Sequence, residues 1–95
     1  MKKLLERIRS VIVKDKGYPN NVAEYLNEEC GEVNTALAVE KGLKNRKLEE
    51  TTEQECVDVI VVALAIILRN KEWGLKEIKE YMDVKIKKWE KSVEN

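Results

Sequence analysis

Apolar positions along the chain recur at spacings of three and four, the period of an α-helix. The first such stretch covers about residues 2–14, with Leu4, Leu5, Ile8, Val11 and Ile12 in step. Gly17, Pro19 and the Asn20-Asn21 pair then interrupt the pattern. A second helix is expected to start after Asn20 or Asn21, either of which can serve as N-cap, and to reach about residue 41. Gly42 is its stop signal, and its stripe is Val22, Leu26, Val33, Ala36 and Leu37. Residues 42–50 are polar and basic and read as a connecting loop. The pattern predicts a third helix from Thr51 or Thr52 to about residue 70. A fourth is expected over about residues 75–92, with the stripe Leu75, Ile78, Met82, Ile86, Trp89 and Val93.

The third helix differs from the others. No polar residue interrupts it from Val59 to Leu68. A helix that is apolar all round must be covered all round. Three short partners in a single domain of 95 residues are too few for that. The expectation is an all-α, four-helix chain whose bundle is completed by homo-oligomerisation, as a homodimer or homotetramer.

Composition narrows the function classes. Hydrophobic residues make up 43% of the chain and charged residues 38%, which suits long amphipathic helices. Eighteen basic residues balance eighteen acidic ones, so nothing marks a nucleic-acid binder. The absence of His removes the commonest general base and neutral metal ligand. Cys30 and Cys56 form no zinc-ligand set and read as small buried hydrophobes in a reducing cytosol. The N-terminal stretch has no sustained apolar region, and the longest apolar run falls short of the roughly 20 residues of a membrane span. The expected location is the cytoplasm, with no membrane partner.

Four acidic residues stand where core is expected. With Val22 at zero on a helical wheel, Leu26 falls near about 40°, Val33 near about 20° and Ala36 near about −40°. Glu29 falls near about −20°, inside that stripe, and Glu32 near about −80°, at its edge. Asp58 is the one polar residue between Cys56 and Leu68, and Glu55 lies three positions earlier on the same face. Buried carboxylates without partners are costly and repel one another. A hard divalent cation, Mg²⁺ or alternatively Mn²⁺, compensates them well because it prefers carboxylate oxygens. Three structural alternatives remain open at this point, one being that Glu29 pairs with a basic residue from another helix or subunit. Thr52-x-x-Glu55 also reads as a capping box. Asp58 could pair with Lys85, beside the helix-four stripe.

The segment Leu26-Asn27-Glu28-Glu29-Cys30-Gly31-Glu32-Val33 resembles the EExxE signature of MazG-like nucleoside triphosphate pyrophosphohydrolases. Glu55-Cys56-Val57-Asp58 resembles the ExxD partner of that signature, with 22 residues between Glu32 and Glu55. The likeness covers about residues 22–90. It implies an enzyme that cleaves a nucleoside triphosphate between its α and β phosphates, with Mg²⁺ as cofactor. Glu29, Glu32, Glu55 and Asp58 would then be both metal ligands and catalytic groups.

Basic residues are expected at the outer phosphates: Lys44, Arg46 and Lys47 in the loop, and Lys85 and Lys88 on helix four. Family members often carry a Lys and an Asn or Arg late in the last helix. Lys85 matches the Lys, but Ile86-Lys87-Lys88-Trp89 supplies no Asn. Tyr25 and Trp89 are candidates for stacking on a base, although Trp89 also fits a core or interface position. Phosphoribosyl-ATP pyrophosphatase is a related alternative. That family carries a His soon after the Asp of its ExxD motif, and this chain has none. A non-catalytic dimeric helical interaction module is the second alternative.

Overall fold

The computed structural model describes residues 1–15 and 18–94. Four helices follow one another: α1 (Lys2–Lys14), α2 (Tyr18–Glu40), α3 (Thr52–Leu68) and α4 (Leu75–Val93). There is no strand among the described residues. No helix among them is long and apolar enough to cross a membrane. The all-helical expectation therefore holds, with element boundaries close to those the pattern predicts.

The start of α2 is the clearest boundary difference. The helix begins at Tyr18, so Asn20 and Asn21 lie inside it and not at its N-cap position. Pro19 occupies the first turn, where a missing N–H costs no intrahelical bond and the fixed φ already suits a helix. Proline therefore opens this helix and does not delay it. The expected break at Gly17 lies outside the described residues. At the far end Gly42 adopts φ +74°. Gly42 N–H donates to the Val39 carbonyl, and Leu43 N–H to that of Ala38. This pair of bonds closes a helix through a left-handed residue, a conformation glycine adopts without strain.

Helices α2 and α3 run antiparallel, since Thr52 Oγ1 donates to Glu40 while Glu32 faces Glu55 further along the seam. Ala36 is fully buried there. Helix α1 lies against α3 as well, and Leu5, Leu68 and Ile78 form the buried centre. Ile8, Ile12, Leu64, Ile67, Trp73 and Leu75 pack around it. Arg9 ties the elements together from α1. Its guanidinium donates to the carbonyls of Leu68 (3.2 Å) and Trp73. It thereby satisfies backbone groups at the C-terminus of α3 and in the turn before α4.

Helix α4 is anchored mainly near its start, by Leu75 and Ile78 in the core and by Tyr81 edge-on to Trp73. Ile78 is buried, whereas Met82, Ile86, Trp89 and Val93 are exposed. On α3 itself, Val57, Ile60 and Val61 are also exposed. The chain is flat, 43 × 43 × 22 Å, with a radius of gyration of 16.0 Å. A compact domain of this length has a radius near about 12 Å. Helix three is thus not covered all round by its own chain.

Candidate metal centre

Glu29 and Glu32 project from the middle of α2, and Glu55 and Asp58 from the first two turns of α3. Their i,i+3 spacing sets each pair on one face, and the antiparallel seam brings the two faces together. One carboxylate oxygen from each residue lies within 4.8 Å of the other three. Glu29, Glu55 and Asp58 are half-buried, and Glu32 is exposed at the rim. Their positions follow the helical wheel.

The register of the α3 cap decides what Glu55 is available for. Thr51, and not Thr52, is the N-cap: its hydroxyl accepts from Gln54 N–H, and Gln54 Oε1 accepts from Thr51 N–H. The capping box is one residue earlier than Thr52-x-x-Glu55, so Glu55 is released from capping. Thr52 instead reaches Glu40 across the seam. Asp58 makes no ion pair with Lys85 among the described residues. Lys85 lies over the Tyr81 ring, 5.2 Å from its centroid, on the side of α4 that meets Ile67. Ile67 is nine residues beyond Asp58, or about 13 Å along α3. Neither the Glu55 cap nor the Asp58–Lys85 pair forms among the described residues of the chain.

The electrostatics are those of crowded like charges. The Glu55 carboxyl is pushed up to about 7, first by its hydrogen bond with Glu32 and by desolvation, then by the charges of Glu32, Glu50 and Asp58. Desolvation also raises Glu29, helped by the charges of Glu32, Asp58 and Glu28 and by a hydrogen bond with Glu32. Oε2 of Glu29 and Oε2 of Glu55 are buried, and neither has a hydrogen-bond partner among the described residues. Among the described residues no Lys or Arg forms an ion pair with any of the four.

This donor set fits a hard divalent cation. Two oxygens on opposite sides of Mg²⁺ stand about 4.2 Å apart, and somewhat further apart around Ca²⁺. The observed spread lies within what one such ion spans with small side-chain adjustments. The two undonated oxygens are the atoms a cation would satisfy.

The other expected site residues are not gathered here. Lys44, Arg46 and Lys47 are exposed in the connection between α2 and α3. That connection begins after Glu40, about 12 Å along α2 from Glu32. Lys85 and Lys88 sit on α4. Tyr25 is one turn before Glu29 and half-open to solvent, and Trp89 is exposed. Cys30 and Cys56 are exposed and not disulfide-bonded, contrary to the expectation of burial. Each directly follows an acid of the cluster, so about 100° of helix rotation turns it away from the seam. Sequence reasoning did not find Arg9 or Tyr18. The Tyr18 hydroxyl is buried with no hydrogen-bond partner among the described residues. Burial raises its pKa, and Arg69 partly offsets this.

No family model matches the chain, and no curated protein or solved structure matches it.

Proposed function

We propose that the chain is a Mg²⁺-dependent nucleoside triphosphate pyrophosphohydrolase that releases pyrophosphate and a nucleoside monophosphate. The observation that carries this reading is the convergence of Glu29, Glu32, Glu55 and Asp58, with ligand oxygens within 4.8 Å of one another and, among the described residues, no cationic side chain paired to them. The likeness of Glu28–Glu32 and Glu55–Asp58 to the EExxE and ExxD signatures of MazG-like enzymes supplies the reaction. When bound, Mg²⁺ neutralises charge on the phosphate oxygens and makes water a better nucleophile near neutral pH.

The chain's own residues do the rest. Glu29, Glu55 and Asp58, half-buried in the seam, would hold the ion. Glu32, at the rim, orients the attacking water and accepts its proton, with Glu29 the other candidate. The loop residues Lys44, Arg46 and Lys47 and the α4 residues Lys85 and Lys88 meet the outer phosphates as the substrate enters. Assembly as a homodimer or homotetramer belongs to the same reading and is supported by the uncovered apolar surface of α3 and α4.

The test is pyrophosphate release with Mg²⁺ across canonical and modified deoxy- and ribonucleoside triphosphates. Release from one or more of them, lost on chelation, is expected. Absence of release from the whole panel, with no rise in melting temperature on adding Mg²⁺ or Mn²⁺, favours a helical interaction module instead.

A further inference from the structure

A concave groove of about 600 Å³ runs between α1, α2 and α3. That volume lies within the range of about 300–1,000 Å³ typical of small-molecule sites. Its walls include Val22 and Tyr25 of α2 and Val57, Val61, Val62 and Ala65 of α3.

The groove continues the acid seam. On the wheel that sets Val22 at zero, Tyr25 falls near about −60°, between Glu29 and Glu32. It therefore faces the same way as both acids, one turn before Glu29. On α3, Val61 and Val62 stand three and four residues beyond Asp58, on its side of the helix. Because the helices are antiparallel, Tyr25 and these valines meet at one end of the cluster, away from the fully buried Ala36. There the seam opens: Tyr25 is 40% exposed and Val61 47%. A partly open aromatic ring thus stands beside the carboxylates, across from aliphatic side chains.

We propose that this end of the groove takes the nucleoside of the substrate, with its base stacked on the Tyr25 ring and held from the other side by Val57 and Val61. The assignment rests on the preceding reading of the acids as the place of phosphate chemistry. A nucleotide held there by its phosphates puts its base one sugar away, a span comparable to the helix rise of about 6 Å between Tyr25 and Glu29. Stacking on an aromatic ring serves every base, because each has a π-face. The aliphatic wall offers no hydrogen-bonding side chain to read a base edge, so recognition here is by ring and shape. Trp89, the other aromatic candidate, is on α4, which meets α3 at Leu68, about 15 Å along that helix from Asp58.

Two measurements test the assignment. In the first, ring resonances of tyrosine-labelled protein are followed by NMR as adenosine 5′-monophosphate, thymidine 5′-monophosphate or ribose 5-phosphate is added with Mg²⁺. The Tyr25 signals, identified by their loss in Tyr25→Phe, should move upfield with both nucleotides and stay in place with the sugar phosphate. The signals of Tyr18 and Tyr81 should move less. In the second, Tyr25→Ala should raise KM for nucleoside triphosphates about tenfold, with kcat less affected and inhibition by inorganic triphosphate unchanged. Tyr25→Phe, which restores the ring, should restore most of the KM. Circular dichroism confirms that each variant is folded. Absence of a nucleotide-induced shift at Tyr25, or an unaltered KM in folded Tyr25→Ala, overturns the assignment while leaving the carboxylate chemistry in place. Shifts at Tyr25 in a protein that releases no pyrophosphate would uphold the nucleoside site and remove the reaction.

Discussion

Glu32 and Glu55 face each other across the α2–α3 seam as a hydrogen-bonded carboxyl pair, and this contact is the leading reason Glu55 is pushed up to about 7. An ordinary Glu in an unfolded chain titrates near about 4.3. The folded chain therefore holds a proton on Glu55 that the unfolded chain has already released. That proton favours folding fully below about pH 4.3, and its contribution is lost as pH rises through about 7. Metal-free protein should melt at progressively lower temperature from pH 5 to pH 8. A melting temperature that is flat or rises over that window contradicts the pairing.

Divalent metal should reverse the trend. Ligand carboxylates must be deprotonated to bind, so the rise in melting temperature with Mg²⁺ should grow between pH 6 and pH 8. Titration calorimetry in buffers of different ionisation enthalpy should detect protons released on binding near pH 7. Equal heats in all buffers would count against Glu55 as a ligand.

Asp58→Asn removes one charge from the cluster and keeps the shape. Without metal the variant should be more stable than wild type by about 1 kcal/mol, or roughly 4 °C in melting temperature. It should also lose most of the Mg²⁺-dependent rise. A loss of stability without metal would show that Asp58 has a compensating partner.

Thr51→Ala should cost about 1 kcal/mol through the lost N-cap, and Thr52→Ala clearly less. Equal costs, read from urea denaturation, would contradict the position of the cap and reopen a capping role for Glu55.

Arg9→Ala removes two donors from the end of α3 and the following turn. A loss of about 1–3 kcal/mol is expected, with faster amide exchange around Trp73 and the start of α4. Unchanged exchange there would show that α4 is anchored by Leu75, Ile78 and Tyr81 alone.

Much of the fold is legible in the sequence because helix periodicity is a local signal. The stripes of α1 and α4 and the stop at Gly42 follow from spacing and from one residue's φ freedom. The gathering of Glu29, Glu32, Glu55 and Asp58 is legible because acids inside an apolar stripe point to where the stripes meet. The cap of α3 is not, since Thr51 and Thr52 each head an acceptable motif and only the backbone register separates them. Arg9 is hidden because its partners are carbonyls 59 and 64 residues away, which no spacing encodes. The cysteines mislead for a related reason: residue type favours burial, but the face that each occupies is turned outward. Lys85 shows the limit for basic residues, whose long side chains suit many surroundings, and here the Tyr81 ring is the one it meets.

The most direct test of the metal-dependent reaction compares wild type and Glu32→Gln on a nucleoside triphosphate that wild type turns over with Mg²⁺. Glu32 is exposed at the rim, and Gln keeps its shape and a hydrogen-bonding group toward Glu55. The expected result is loss of pyrophosphate release by at least a hundredfold in Glu32→Gln, with mass and helicity unchanged. Undiminished release by a folded Glu32→Gln variant would contradict the assignment of the four carboxylates as the reaction centre.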